Sequence, residues 1–242
     1  MKALVLAAGL GERMRPLTAA TPKPLLAAGG KPLIAWHLEK LAALGVRDVV
    51  VNTSWLAARF PQVLGDGAHW GLRLHYAFEG DTPLETGGGM HNALPLLAGD
   101  GDIDAPFIAI NGDTWTDYDF ARLPHAPAGT AHLVLVDNPP QHAGGDFALR
   151  EDGTIAADGA AKLTFSGIGV YRPSLLDHWR DVIGAAPGAD AVPPRFRLAP
   201  LLRAAMAGGG VTGEHHQGRW TDVGTPQRLA QLDAELKAAS SP

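Results

Sequence analysis

One stretch limits what this chain can fold into more than any other. Ala3 to Ala7 is an apolar run of strand length, and it turns at once through Ala8, Gly9 and Gly11 into a loop carrying Glu12, Arg13, Arg15 and Lys23. Small residues let backbone N–H groups come close to a ligand, because no Cβ stands in the way. A run of such groups makes an anion-binding concavity. A strand that delivers such a loop fits an open α/β sheet, in which ligands sit beyond the carboxyl ends of the strands. Arg13, Arg15 and Lys23 together call for a ligand with several negative charges, such as a nucleoside triphosphate. The glycine pair is neither the three-glycine dinucleotide fingerprint nor the Gly-Lys-Ser/Thr loop of P-loop proteins.

The rest of the chain repeats the alternation of strand and helix. Pro32 opens a helix whose apolar stripe is Leu33, Ile34, Trp36, Leu38, Leu41 and Leu44, and Gly45 ends it. Asp48–Val51 reads as a buried strand, 55–64 as a helix and Leu72–Phe78 as a half-buried strand. A glycine triplet, Gly87 to Gly89, leads into a helix from about His91 to Leu97. Pro106–Ile110, Ala131–Val136 and Leu163–Tyr171 read as strands, with a hairpin turning at Asp152-Gly153 between the last two. Pro173–Ile183 and the stripe Leu198 to Met206 read as helices. Val211–His216 and Arg219–Thr221 are short strands. Thr225 then caps a terminal helix with Pro226 at its first position. This order predicts an α/β fold: a doubly wound, mostly parallel, Rossmann-like sheet with a small β extension on the acceptor side.

Composition narrows the function. The 242 residues are enough for one domain, with a nucleotide-binding half to about 115 and a second half from 116. A net charge of −5 argues against a nucleic-acid partner, which usually meets a basic face. The absence of cysteine removes disulfides, thiolate metal ligands and thiol nucleophiles, and it fits a reducing cytoplasm. No apolar run reaches the ~18 residues of a membrane span, and no cleavable leader is expected at the N-terminus. No hexapeptide array follows the α/β part, so no β-helix domain is expected; the sequence does not fix the oligomeric state, and without a repeat domain to drive assembly the expectation is a monomer. The ten histidines show no zinc-ligand spacing.

Three further places can carry chemistry. The glycine triplet either packs flat against a base or ribose, with Gly87 and Gly88 as the contacts and Glu85 beside them, or is a flexible turn. Asn111-Gly112-Asp113 ends a fully apolar strand. It is either a turn, which that tripeptide favours, or the delivery of Asp113 to a Mg²⁺ ion. Mg²⁺ takes one or two carboxylates and fills its shell with phosphate oxygens and water. Asp222, in Trp220-Thr221-Asp222-Val223-Gly224-Thr225, is either a turn residue ahead of a helix or a second carboxylate.

Ala7-Ala8-Gly9-x-Gly11-x-Arg13-Met14, taken with Thr21-Pro22-Lys23-Pro24, resembles the signature of the sugar-1-phosphate nucleotidylyltransferases. Pro83-Leu84-x-Thr86-x-Gly88, Asn111-Gly112-Asp113 and Trp220-x-Asp222-x-Gly224-Thr225 extend the resemblance. It implies that Asp113 and Asp222 hold Mg²⁺, that Asn111 contacts the sugar phosphate, and that Gly87 and Gly88 line the nucleotide pocket. The chemistry then assigns Lys23 to the α-phosphoryl oxygens, Arg13 and Arg15 to the departing pyrophosphate, and Ala8, Gly9 and Gly11 to backbone contacts. The Glu-Lys-Pro motif common in the family is missing; Lys162 lies nearby in sequence but does not match its pattern, so the motif lysine's role is not carried over to it.

Gly145-Asp146-Phe147, Leu163 to Ile168, Phe196 to Leu202 and Gly213-Glu214-His215 are similar to the N-acetylmuramate-1-phosphate uridylyltransferases of cell-wall recycling. That likeness implies UTP and a sugar 1-phosphate as substrates, with Asp146 and Glu214 facing the sugar. The alternatives are mannose 1-phosphate with GTP, and glucose 1-phosphate with dTTP or UTP. A non-catalytic nucleotide-sensing subunit is a further alternative, against which the retained Lys23, Asp113 and Asp222 count. A molybdopterin-type nucleotidyltransferase shares the opening but is not expected to carry the Trp-x-Asp-x-Gly-Thr stretch.

Overall fold

The N-terminal apolar run becomes an interior strand of a seven-stranded sheet. A computed structural model describes residues 1–98 and 102–239 of the chain. In chain order the strands are β1 (Lys2–Leu6), β2 (Asp48–Thr53), β3 (Arg73–Phe78), β4 (Phe107–Asn111), β5 (Ala131–Val136), β6 (Thr164–Tyr171) and β7 (Val211–His216). Across the sheet they run β7-β5-β6-β4-β1-β2-β3. β1 pairs in parallel with both β2 and β4, and β2 with β3. β6 runs antiparallel between β4 and β5, and β7 is parallel to β5, so the sheet is mostly parallel with one reversed strand.

This order has a functional consequence. From β1 the chain winds outward through β2 to β3, then returns to lay β4 on the other side of β1. The winding direction changes between β1 and β4, and at such a switch point the connections diverge and leave a crevice at the carboxyl ends. The loop after β1 and the Asn111–Asp113 turn after β4 both enter that crevice.

Side-chain alternation splits the core between the two faces. Leu4 packs with Met90, Ala93 and Leu97, from helix α2 (Glu85–Leu97), in a cluster that also takes in Leu201, Leu202 and Met206 of α3 (Ala199–Ala207). Ala3 and Val5 pack with Ile34, Leu38 and Leu41, from α1 (Leu33–Ala43). Val49 to Val51 of β2 are fully buried, as a run covered on both faces should be. A third cluster joins Leu229, Leu232 and Leu236 of the terminal helix α4 (Pro226–Ala239) to Met14 in the N-terminal loop. The last helix therefore buttresses the first loop.

Three elements differ from the sequence reading. The helix expected over 55–64 is confined to Arg59–Leu64. The one over Pro173–Ile183 divides into a 3₁₀ turn, Pro173–Leu176, and a short helix, Trp179–Ile183. The third difference matters most: α2 begins at Glu85, not near His91, so the glycine triplet is helical. Glycine costs roughly 1 kcal/mol in a helix relative to alanine, and packing explains its use here. A Cβ at Gly87 would lie 2.6 Å from the Phe196 ring, and one at Gly88 2.5 Å from the Pro194 carbonyl. A Cβ at Gly89 would lie 2.4 Å from Glu79 Oε1. At these three positions neighbouring segments come too close for a side chain.

Candidate active site

The crevice holds a cavity of about 700 Å³. One wall is the loop after β1. Gly11 has φ 65° and starts the 3₁₀ turn Glu12–Met14, and its carbonyl accepts the Thr18 hydroxyl at 2.8 Å. Only glycine enters that conformation freely, and a Cβ there would sit 2.8 Å from Thr18 Cγ2. Met14, fully buried, pins the turn against α4. Gly9 has nothing within 4 Å of its missing side chain, so it leaves room on the cavity side rather than relieving a clash.

A buried hydrogen-bond chain fixes the cavity's frame. The Ala7 N–H donates to Asn52 Oδ1 at 2.5 Å, and Asn52 Nδ2 donates to Glu79 Oε1 at 2.6 Å. Glu79 Oε2 accepts the Leu84 N–H at 2.9 Å. The ends of β1, β2 and β3 and the start of α2 are thus tied together through one carboxyl group, itself 4% exposed. Burial pushes the Glu79 pKa up, against the pull of its two hydrogen bonds. Ten residues on, the helix continues past this carboxyl only because residue 89 is glycine.

Lys23 and Asp113 meet in the cavity. Lys23 is 8% exposed, and its Nζ donates to Asp113 Oδ2 at 2.5 Å. Asp222 is brought to the neighbouring position by a two-stranded ribbon, Thr114–Thr116 with Trp220–Asp222. The Val223 N–H donates to the Asp113 carbonyl at 3.0 Å, so the two aspartates stand at adjoining positions of paired backbone. Asp222 Oδ1 accepts from Gln141 Nε2 at 2.8 Å and from the Arg228 guanidinium.

The candidate residues fall into two groups. Ala8, Gly9, Gly11, Glu12, Arg13, Lys23, Asn111 and Asp113 all line the cavity; Gly224 lines it too, whereas Asp222, two residues earlier, stands just outside the lining. The others lie elsewhere. Arg15 is exposed and outside the lining. Gly87 and Gly88 face Phe196 and Pro194, and the wall there is Glu85 and Thr86. Asp146 is a loop anchor: it accepts the Phe165 N–H at 2.8 Å and pairs with His142 at 3.0 Å. Glu214 is taken up by the Tyr118 hydroxyl and the Arg122 guanidinium and does not line the cavity. Lys162 pairs with Asp158 at 2.9 Å.

Sequence reasoning singled out none of Asn52, Glu79, Thr82 and Arg195, which also line the cavity. Asn52 carried the same signal as Asp113, a polar residue near the carboxyl end of an apolar strand. Arg195 carried none. It reaches the cavity from a loop distant in sequence and lies 3.7 Å from Glu85, whose φ is 63°.

Among the described residues no cluster of three or more His, Cys, Asp or Glu side chains could enclose a metal ion. Two carboxylates at adjoining positions fit a different kind of site. There a hard divalent cation takes its remaining ligands from phosphate oxygens and water. A glycine loop, a buried lysine and this acid pair at the switch point of a parallel sheet can bind a polyphosphate and stabilise charge on it.

That combination defines a nucleotide-handling transferase, and residues 2–147 match the Nucleotidyl transferase family. The chain belongs to this family and is an enzyme of that kind. It is 44% identical to the N-acetylmuramate alpha-1-phosphate uridylyltransferase of Neisseria meningitidis serogroup B, with 97% of each chain covered. It is 34% identical to the protein of the same name from Caulobacter vibrioides, covering 99% of this chain and 97% of that one. The fold matches a Bacillus anthracis protein assigned as a glucose-1-phosphate thymidylyltransferase, solved in complex with a sucrose. The TM-score is 0.78 at 20% identity, over 100% of this chain and 97% of that one. No helix among the described residues is long and apolar enough to cross a membrane.

Proposed function

We propose that the protein transfers a uridylyl group from UTP to N-acetylmuramate 1-phosphate, giving the UDP-sugar and pyrophosphate. The observation that carries this reading is the Lys23–Asp113 pair, set in a glycine-lined cavity, in a chain whose near-full-length relatives bear that activity in their names. The proposal includes action in the cytoplasm, as part of cell-wall recycling.

The reaction needs little covalent chemistry from the protein. A phosphate oxygen of the sugar phosphate attacks the α-phosphorus of UTP, the bond from that phosphorus to the β-phosphate bridging oxygen breaks, and pyrophosphate leaves. The attacking group is already an anion, so no general base is needed. What the protein must do is align the two phosphates and balance growing charge. Alignment alone is worth roughly 7–11 kcal/mol in good intramolecular reactions.

The residues divide that work. Backbone groups of Ala8, Gly9 and Gly11 and the Arg13 guanidinium hold the triphosphate. Lys23 stabilises charge on the α-phosphoryl oxygens, and its burial keeps it from competing water. Asn111 serves the sugar-phosphate side, and Arg195 adds a cation on the wall formed by Glu85 and Thr86. Asp113 and Asp222 are the residues that would hold Mg²⁺, which supplies further neutralisation of phosphate charge when bound.

The decisive test is pyrophosphate release with UTP and N-acetylmuramate 1-phosphate, with and without Mg²⁺. It runs beside mannose 1-phosphate with GTP and glucose 1-phosphate with dTTP. Release with the first pair, dependent on Mg²⁺, is the expected result. Release only with another pair would overturn the acceptor assignment and leave nucleotidyl transfer standing.

A further inference from the structure

Asp222 is held through one oxygen only. Gln141 and Arg228 both donate to Oδ1, and Oδ2 accepts from neither. The donors come from different elements: Gln141 from the exposed 3₁₀ turn Pro140–His142, Arg228 from the first turn of α4. Both are anchored. The Gln141 turn is tied down by His142 on Asp146, which in turn accepts the Phe165 N–H. The Arg228 N–H donates to the Thr225 cap at 3.3 Å, and α4 packs on Met14 of the N-terminal loop.

Arg228 reaches Asp222 because residue 224 has no side chain. A Cβ at Gly224 would lie 2.6 Å from Arg228 Nη2 and 3.1 Å from Asp222 Oδ2. Gly224 lines the cavity, and the oxygen that the two donors leave open is the one beside it.

We infer that Arg228 and Gln141 are positioning residues that clamp Asp222 by Oδ1 and present Oδ2 as the cation-binding oxygen. The inference rests on the two-carboxylate metal site proposed above. A free aspartate samples several rotamers, and restricting it beforehand removes an ordering cost from ligand binding. Partners that orient a ligating carboxylate in this way are worth roughly 10- to 100-fold in metal affinity. A guanidinium beside a carboxylate has an alternative role, as a stand-in cation that an incoming metal must displace. The two roles predict opposite signs, since removing a competitor tightens metal binding and removing a support weakens it.

The experiment is a Mn²⁺ titration of the full chain with UTP present and the acceptor absent, read by water-proton relaxation, with thermal melts to confirm folding. Asp222→Asn identifies the signal from this site. Arg228→Ala is expected to weaken Mn²⁺ binding by about 10-fold or more. Arg228→Lys, which keeps a cation and a donor, is expected to regain part of it, and Gln141→Ala to show a smaller loss. Wild-type or tighter Mn²⁺ affinity in folded Arg228→Ala overturns the clamp. If that variant does not fold, Gln141→Ala decides, because its exposed turn puts no core at risk, and unchanged affinity there overturns the clamp. A wild-type protein that takes up no Mn²⁺ overturns the metal site itself, and the clamp with it.

Discussion

Lys23 Nζ lies 2.5 Å from Asp113 Oδ2, joining the loop after the first strand to the turn after the fourth across 90 residues of sequence. The pair closes the crevice at the switch point of the sheet. The lysine is nearly buried, whereas the aspartate side chain keeps 38% of its surface open. That asymmetry suits a cation held in place by the fold and an acid left accessible to a ligand.

Lys23→Ala should lower kcat by about 10²–10³-fold, the usual loss when one charge-stabilising donor is removed from a transition state. Asp113 is left open to water, so the fold should survive. Pyrophosphate release and a thermal melt on the same preparation check both halves. Near-normal turnover would remove Lys23 from the chemistry.

Gly9 and Gly89 should respond to alanine in opposite ways. At Gly89 the new methyl meets Glu79 Oε1 at 2.4 Å and Asn52 Nδ2 at 2.7 Å, inside the buried chain that frames the cavity. Overpacking of that kind costs about 1–3 kcal/mol, and it should appear as a lower Tm. At Gly9 the methyl meets nothing, so the Tm should hold while the KM for the nucleotide rises. Equal Tm losses for the two variants would contradict this.

Glu214→Ala should damage stability and spare substrate binding. The substitution leaves the Tyr118 hydroxyl, on a nearly inaccessible residue, without its acceptor. An unsatisfied buried polar group costs roughly 1–3 kcal/mol. The KM for the sugar phosphate should not change. Denaturant unfolding and steady-state kinetics together separate this from a sugar-binding role, which would raise that KM in a fully stable protein.

Acid should weaken the fold through His37. The residue is fully buried, and its Nε2 meets the Thr114 carbonyl at 2.8 Å. Burial holds its pKa down at about 4, from an ordinary value of 6.5. The unfolded chain therefore binds a proton between those values that the folded one refuses. The contribution is intact above pH ~6.5, declines as the pH falls toward 4, and totals about 3 kcal/mol. The unfolding free energy of wild type should drop more steeply over that window than that of His37→Leu. Parallel curves would mean His37 titrates normally.

The sequence reported this protein unevenly. β5 and β7 stand at the predicted residues, and α1 stops at Ala43, just ahead of the predicted Gly45, whose φ is 87°. Such elements are set by alternation, apolar stripes and glycine stops, all of which are local. The helical glycine triplet was not legible, because its cause is the approach of Phe196, Pro194 and Glu79 from elsewhere in the chain. Asp146 and Glu214 show the same limit. An acid in a loop or on a strand looks available until its partners are known, and here those partners are a backbone N–H, a tyrosine and an arginine.

What the sequence settled by itself was the alternation of strands and helices, and the types of group delivered to the strand ends: glycines, Lys23, Asn111 and Asp113. These follow from nearest-neighbour physics, from φ freedom, periodicity and the cost of burying charge. Only the tertiary structure decided which of them share one cavity, that Asn52, Glu79 and Arg195 join them, and that Asp222 is gripped by Gln141 and Arg228. Those outcomes depend on strand order and on packing between distant segments, and no local stretch of residues encodes either.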